Sequence, residues 1–112
     1  MNSIRNRVLL IGHLGKDPEL KTFDSGKQKA AFPLATSESY KDKNGDKVED
    51  THWHNVIAWE SQAKLAENFL KKGSQVAVEG KLTHRKYEDK EGNPKYVTEV
   101  IVNDILLLGK KV

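Results

Sequence analysis

Apolar positions along the chain fall into five extended runs and one helical run. From Ile4 to Leu14 the sequence carries the continuous stretch VLLI (8–11), which predicts a strand buried on both faces. GKDPEL (15–20) breaks that run, with Pro18 as punctuation. A second strand is expected over about Gln28 to Tyr40, after the turn DSG (24–26); Pro33 inside it implies an edge position or a bulge. KNGD (43–46) places Asn-Gly between two strand-like runs, a strong hairpin signal, and the third strand covers about Asp50 to Trp59. The period then changes. In SQAKLAENFLKKG (61–73), Leu65, Ala66, Phe69 and Leu70 fall on one helical face. Ser61 stands where a cap is wanted, Lys71 and Lys72 suit the negative end of the helix dipole, and Gly73 can close it. A fourth strand over about Gln75 to Tyr87, a turn at EGNP (91–94) and a fifth strand from Lys95 to Leu108 complete the pattern.

The order β-β-β-α-β-β, all-β with one helix, matches the five-stranded Greek-key barrel called the OB-fold. The alternative is an open antiparallel sheet with one helix packed across it. Either architecture exposes a strand face, and the OB-fold uses that face to bind oligonucleotides or oligosaccharides. The length, 112 residues, suits one domain over 1–112 with one core. No stretch approaches the roughly 20 apolar residues of a membrane span, so no membrane partner is expected. The start, MNSIRNRVLLIG, shows no signal-peptide cleavage site. The chain has no cysteine, which excludes disulfides and thiolate zinc sites. A net charge of +3 is compatible with a polyanionic partner but is shared by many soluble proteins.

The aromatic residues sharpen the picture through strand alternation. In the fourth strand Val76, Val78 and Leu82 share one parity and predict the core side, while Lys81, Thr83, Arg85 and Tyr87 share the other. Tyr87 therefore stands among cations on the wet face. In the third strand Thr51, Trp53, Asn55, Ile57 and Trp59 oppose His52, His54, Val56 and Ala58, and parity alone does not say which set is inside. Tyr40 shares parity with Phe32 and Leu34, which points it inward unless Pro33 or a bulge flips the register. Exposed rings would have a use: every base has a π-face, so an aromatic platform holds single strands without reading sequence, at roughly 1–3 kcal/mol per base. Lys41, Lys43, Lys81, Arg85 and Lys86 lie close in sequence to these rings and could neutralise phosphates.

The stretches RVLLIGHLGKDPEL (7–20), LATSESYKD (34–42), THWHNVIAW (51–59), LAENFLKKGSQVAVEGKL (65–82), THRKYEDKEGNPKY (83–96) and TEVIVNDI (98–105) resemble the bacterial single-stranded DNA-binding protein (SSB) family across nearly the whole chain. The resemblance implies an OB barrel, a homotetramer, a place in the cytoplasm on the nucleoid, and protection of single strands in DNA replication, recombination and repair. It puts DNA-stacking rings at Tyr40, Trp53, Trp59 and Tyr87, and basic contacts at Lys43, Lys72, Arg85 and Lys86. Tyr at 40 and 87, in place of the more usual Trp, keeps a smaller ring; Asn55 stands where an arginine often follows Trp-His; His54 falls where a histidine lies near subunit contacts. The sequence stops at LLLGKKV (106–112) instead of continuing into the flexible linker and acidic tip that the resemblance implies, so recruitment of replication and repair proteins is not expected of this chain.

His52 and His54 form H-x-H on one strand face, and Asp50 could join them, but His13 and His84 have no ligand spacing to the pair. There is no phosphate loop and no nucleophile motif, so no catalysis, metal or cofactor is expected. A related OB module for RNA or for a primosome, or a purely structural OB domain, would share the fold and differ in what it binds.

Overall fold

The computed structural model describes residues 4–109, so the last three residues of the basic end read above (110–112) lie outside the described residues. In chain order the elements are β1 (Val8–Leu14), β2 (Glu19–Thr22), β3 (Gln28–Lys41), β4 (Lys47–Trp59), α1 (Ser61–Phe69), β5 (Gln75–Glu88) and β6 (Pro94–Leu107). The strands run β1-β5-β6-β4-β3-β2, and a further pairing of β1 with β3 closes the first five into a barrel. That closure is short, His13 with Ala35 and Leu14 with Leu34. It needs a bare backbone nearby: a β-carbon on Gly12 would lie 2.1 Å from the Ala35 carbonyl oxygen. The five-stranded barrel and its single helix are thus as the sequence predicts. The addition is β2, in the stretch following Pro18. All four of its residues are exposed, so it carries no apolar alternation, and it is held by pairing to Gln28–Ala31 of β3.

Pro33 sits where β3 changes neighbour on one side, from β2 (through Ala31) to β1 (from Leu34). A residue without an N–H is tolerated at such an edge-like position. The β3–β4 register runs unbroken from Lys29↔Trp59 to Lys41↔Lys47, so Pro33 makes no bulge there. The irregularity lies instead in the β5–β6 pair, between Glu79 and Gly80.

Leu34, Val56, Val76 and Val78 are fully buried and centre the core with Phe32, Ala58 and Val102. Burying each such side chain is worth about 1.5–3 kcal/mol. Helix α1 adds Ala63, Ala66 and the following Leu70. Two alanines let the helix sit close to the barrel, and the buried stripe runs 63–66–70 with Leu65 at its margin; Phe69, expected on that face, is 65% exposed. The helix ends also differ from expectation. Ser61 is the first helical residue, and no side chain caps the start; the preceding Glu60 instead accepts a bond from the Gln28 N–H and fastens the helix to β3. The helix ends at Phe69, so Lys71 and Lys72 lie past its last turn, and Gly73, at φ 90°, turns the chain so that its N–H reaches the Leu14 carbonyl.

VLLI is not buried on both sides: Leu9 and Ile11 are 67% and 55% exposed. Leu82 has the inner parity but is 38% exposed, because β5 is leaving the barrel there. Both long hairpins, β3–β4 and β5–β6, outrun the core and end in the same turn. At the first, Asp42 accepts from the Asn44 and Asp46 N–H groups and Gly45 takes φ 83°. At the second, Asp89 does the same for Glu91 and Asn93, with Gly92 at φ 82°. A type I turn followed by a left-handed glycine matches the twist of the strands it joins.

Candidate nucleic-acid interface

Strand β4 resolves the parity that the sequence leaves open. Val56 and Ala58 are fully buried, so the even positions face the core and Trp53, Asn55, Ile57 and Trp59 face outward. Neighbouring strands extend this face sideways. One row runs Pro33–Asn55–Glu99–Thr83 and the next Ala31–Ile57–Ile101–Lys81, across β3, β4, β6 and β5. A third row at the far end is Lys21–Lys29–Trp59.

The rings stand at the ends of the face. Trp53 is 61% exposed. Trp59, six residues or about 20 Å along the strand, is only partly exposed, because Phe23 stacks on it with centroids 5.7 Å apart and planes at 26°. Lysines crown this second pair: the Lys21 ammonium lies 4.9 Å from the Phe23 centroid and that of Lys29 5.8 Å from Trp59. On β5, Arg85 lies 5.9 Å from the ring centroid of Tyr87, and both are exposed. The Arg85 guanidinium also grips Glu99 with two donors, at 3.0 and 3.4 Å. Glu99 is almost fully buried in the floor of the face. Its hydrogen bond, and then its charge, raise the Arg85 pKa above the ordinary value, so the guanidinium stays charged at any working pH. Among the described residues Lys21, Lys29 and Lys81 make no ion pair and keep their charge available.

Of the eight residues singled out from the sequence, Trp53, Trp59, Arg85 and Tyr87 come together on this face. Tyr40 does not. It is 55% exposed, but with the register unbroken its side chain stays on the Leu34 side of the hairpin, opposite Trp53; it is wet because the hairpin has outrun the core. Lys86 alternates with Arg85 and Tyr87 and pairs with Tyr96, itself 73% exposed, on the other side of the β5–β6 hairpin. Lys43 lies in the β3–β4 turn. Lys72 follows α1 and is tied by its N–H to Asp17 at 2.7 Å, beside the loop after β1. The sequence reading missed Phe23, Lys21, Lys29 and Glu99. Lys29 was within reach, since hairpin register through the KNGD turn sets it opposite Trp59; Phe23 sits in a stretch with no strand signature.

The H-x-H pair does not converge. His54 shares a 3.0 Å hydrogen bond with Thr36, whereas His52 lies 3.5 Å from Asp50. Burial, and secondarily the charge of His52, lower the His54 pKa below its ordinary value. Among the described residues no three potential ligands group together.

A closed OB barrel with exposed rings and free lysines across one strand face defines a single-strand-binding class of module. The model of the Single-strand binding protein family matches residues 5–108, and the chain belongs to that family. It is 47% identical over 107 residues to "Single-stranded DNA-binding protein 1" of Chlorobaculum tepidum, covering 95% of this chain and 66% of the relative. It is 40% identical over 104 residues to "Single-stranded DNA-binding protein" of Neisseria meningitidis serogroup A, covering 93% and 60%. The chain thus spans about two thirds of the length of these curated relatives. Among solved structures, "Plasmodium falciparum SSB complex with ssDNA" matches at TM-score 0.82 and 34% identity over 96% of this chain and 97% of that one. Membership in a family of binding proteins accords with the expectation of no catalysis.

Proposed function

We propose that this chain binds single-stranded DNA without reading its sequence, and so protects single strands during replication, recombination and repair on the nucleoid. The observation that carries the reading is the outward face of β4, with Trp53 at one end and the Phe23–Trp59 pair at the other. Bases stack on these rings, while Lys21, Lys29, Lys81 and Arg85 face phosphates. Tyr87 extends the path along the β5–β6 hairpin. Tyr40, Lys43 and Lys86 act where a strand passes over the hairpins to their other sides, and Lys72 at the rim beside the loop after β1. Asn55, between Trp53 and Ile57, supplies no cation of its own, and the cation nearest it across the sheet is Arg85, held on the neighbouring Glu99. The test is tryptophan quenching by oligo-dT at two salt concentrations, with RNA and duplex DNA as competitors. Single-stranded DNA should win and its affinity should fall as salt rises, because phosphate contacts release counterions. Salt-independent binding, or preference for RNA, would refute the reading.

The chain is also proposed to assemble as a homotetramer. Ile11, Ala77 and Leu106 form a row across β1, β5 and β6, with Leu9 beside it; Leu9, Ile11 and Leu106 are more than half exposed. One edge of β1 pairs with β3 only at His13 and Leu14, so an apolar strip adjoins free backbone, a combination that invites pairing. Light scattering at micromolar concentration should give four copies; a monomer would overturn the assignment.

A further inference from the structure

Trp53 is held by a glycine. A β-carbon placed on Gly15 would lie 2.4 Å from Cζ3 and 2.7 Å from Cη2 of Trp53, far inside contact distance. The outer edge of the indole therefore occupies the space that a side chain at position 15 would take. Backbone conformation does not demand this glycine, since no left-handed φ occurs there. The demand is for room.

The loop that carries it is fastened. The Gly15 N–H donates to the Pro33 carbonyl at 3.0 Å. Buried Leu14 exchanges backbone bonds with Ser74 and Gly73, and Asp17 accepts from the Lys72 N–H. If a methyl group were added at 15, the exposed ring would move before this backbone did.

We propose that Gly15 is a positioning residue for DNA binding. It seats the Trp53 ring against the loop after β1, so that the ring offers a fixed open surface to a base. A ring already held pays less ordering entropy when a base arrives. The inference rests on the reading of Trp53 as a stacking platform, and the variants separate the two.

Trp53→Ala should weaken oligo-dT binding roughly 5- to 150-fold, the loss of one stacked base. Gly15→Ala should weaken it by a factor of the same order while the melting temperature stays within a few degrees of the parent. The double variant should bind no worse than Trp53→Ala alone, because the two changes remove one contact. Trp53→Phe supplies the decisive background: a phenyl ring lacks the Cζ3 and Cη2 atoms that collide, so adding Gly15→Ala to it should cost nothing. That pair also serves if Gly15→Ala alone folds poorly, since folding should then be restored. With Trp59→Phe leaving one tryptophan, Gly15→Ala should lower the fluorescence anisotropy of Trp53. Unchanged binding and anisotropy in Gly15→Ala, or a full additional loss in either Trp53 background, would overturn the seat. If Trp53→Ala itself binds normally, the platform reading fails, and anisotropy alone still reports whether the ring was seated.

Discussion

Trp53→Ala and Trp59→Ala together test where this protein keeps its stability and where it keeps its function. A buried aromatic side chain covers about 150–250 Å². Trp53 is 61% exposed, so about two fifths of that is covered, roughly 60–100 Å². At about 25 cal/mol per Å², its removal costs no more than about 1.5–2.5 kcal/mol, against about 3–5 kcal/mol for a core aromatic. Trp59 is more deeply set and shares a stacked pair with Phe23. Its loss therefore adds a larger buried area and about 0.5–1.5 kcal/mol for the ring pair. In a domain of this size each kcal/mol shifts the melting temperature by about 4 °C. Trp59→Ala should thus melt clearly below Trp53→Ala, and both should weaken binding by about 1–3 kcal/mol. Melting is followed by circular dichroism at one fixed protein concentration, because assembly makes it concentration-dependent. Binding is followed by anisotropy of a labelled oligo-dT, which does not rely on the tryptophans. If Trp53→Ala proves the more destabilising of the two and binds DNA normally, the outward assignment of β4 is wrong.

Lys29→Ala should leave melting unchanged and reduce the slope of log affinity against log salt by about 0.7, one phosphate contact to a single strand; an unchanged slope would remove Lys29 from the path. Glu99→Gln keeps a hydrogen-bond acceptor for Arg85 but removes the carboxylate charge that competes with phosphate, so it should tighten binding and steepen the salt slope; weaker binding would instead make Glu99 the anchor that aims Arg85. For pH, the sign follows from the lowered pKa of His54. The folded state binds its proton less readily than the unfolded chain, so this contribution to stability is present above the ordinary value of 6.5 and is lost as pH falls through the lowered one. Melting temperature should therefore drop as pH is lowered through and below 6.5, and His54→Asn should flatten that drop.

Much of the fold was legible because its strands are long and strongly alternating, and because helix and strand periods differ. β2 was not legible, since ELKT buries nothing and owes its place to the edge of β3. The orientation of β4 was undecidable from parity for a specific reason: Ile57, on the outward face, is itself only 5% exposed. It lies mid-sheet between Ala31 and Ile101, so both faces of the strand contain buried aliphatics. Tyr40 shows the converse. Alternation left its side open, inward unless Pro33 or a bulge flipped the register; the register is unbroken, and the hairpin there has no core to enter. At the site, the resemblance supplied Trp53, Trp59, Tyr87 and Arg85, whereas Phe23 and Glu99 emerge only when strands distant in sequence are set side by side.

The barrel's closure explains why the face is built on β4. This strand is paired along its length with β3 and, at Asn55 to Ile57, with β6, so its backbone is fixed from both sides at the centre of the face. Its rings stand beyond that central segment, where they need separate supports: Gly15 and its fastened loop at one end, Phe23 at the other. Both supports come from the connections flanking β2, the short strand that contributes nothing to the core. The segment between β1 and β3 thus works less as a linker than as a pair of rests that hold two flat surfaces open about 20 Å apart. Rigid backbone in the middle and seated rings at both ends suit a ligand that must be held along its length without being read.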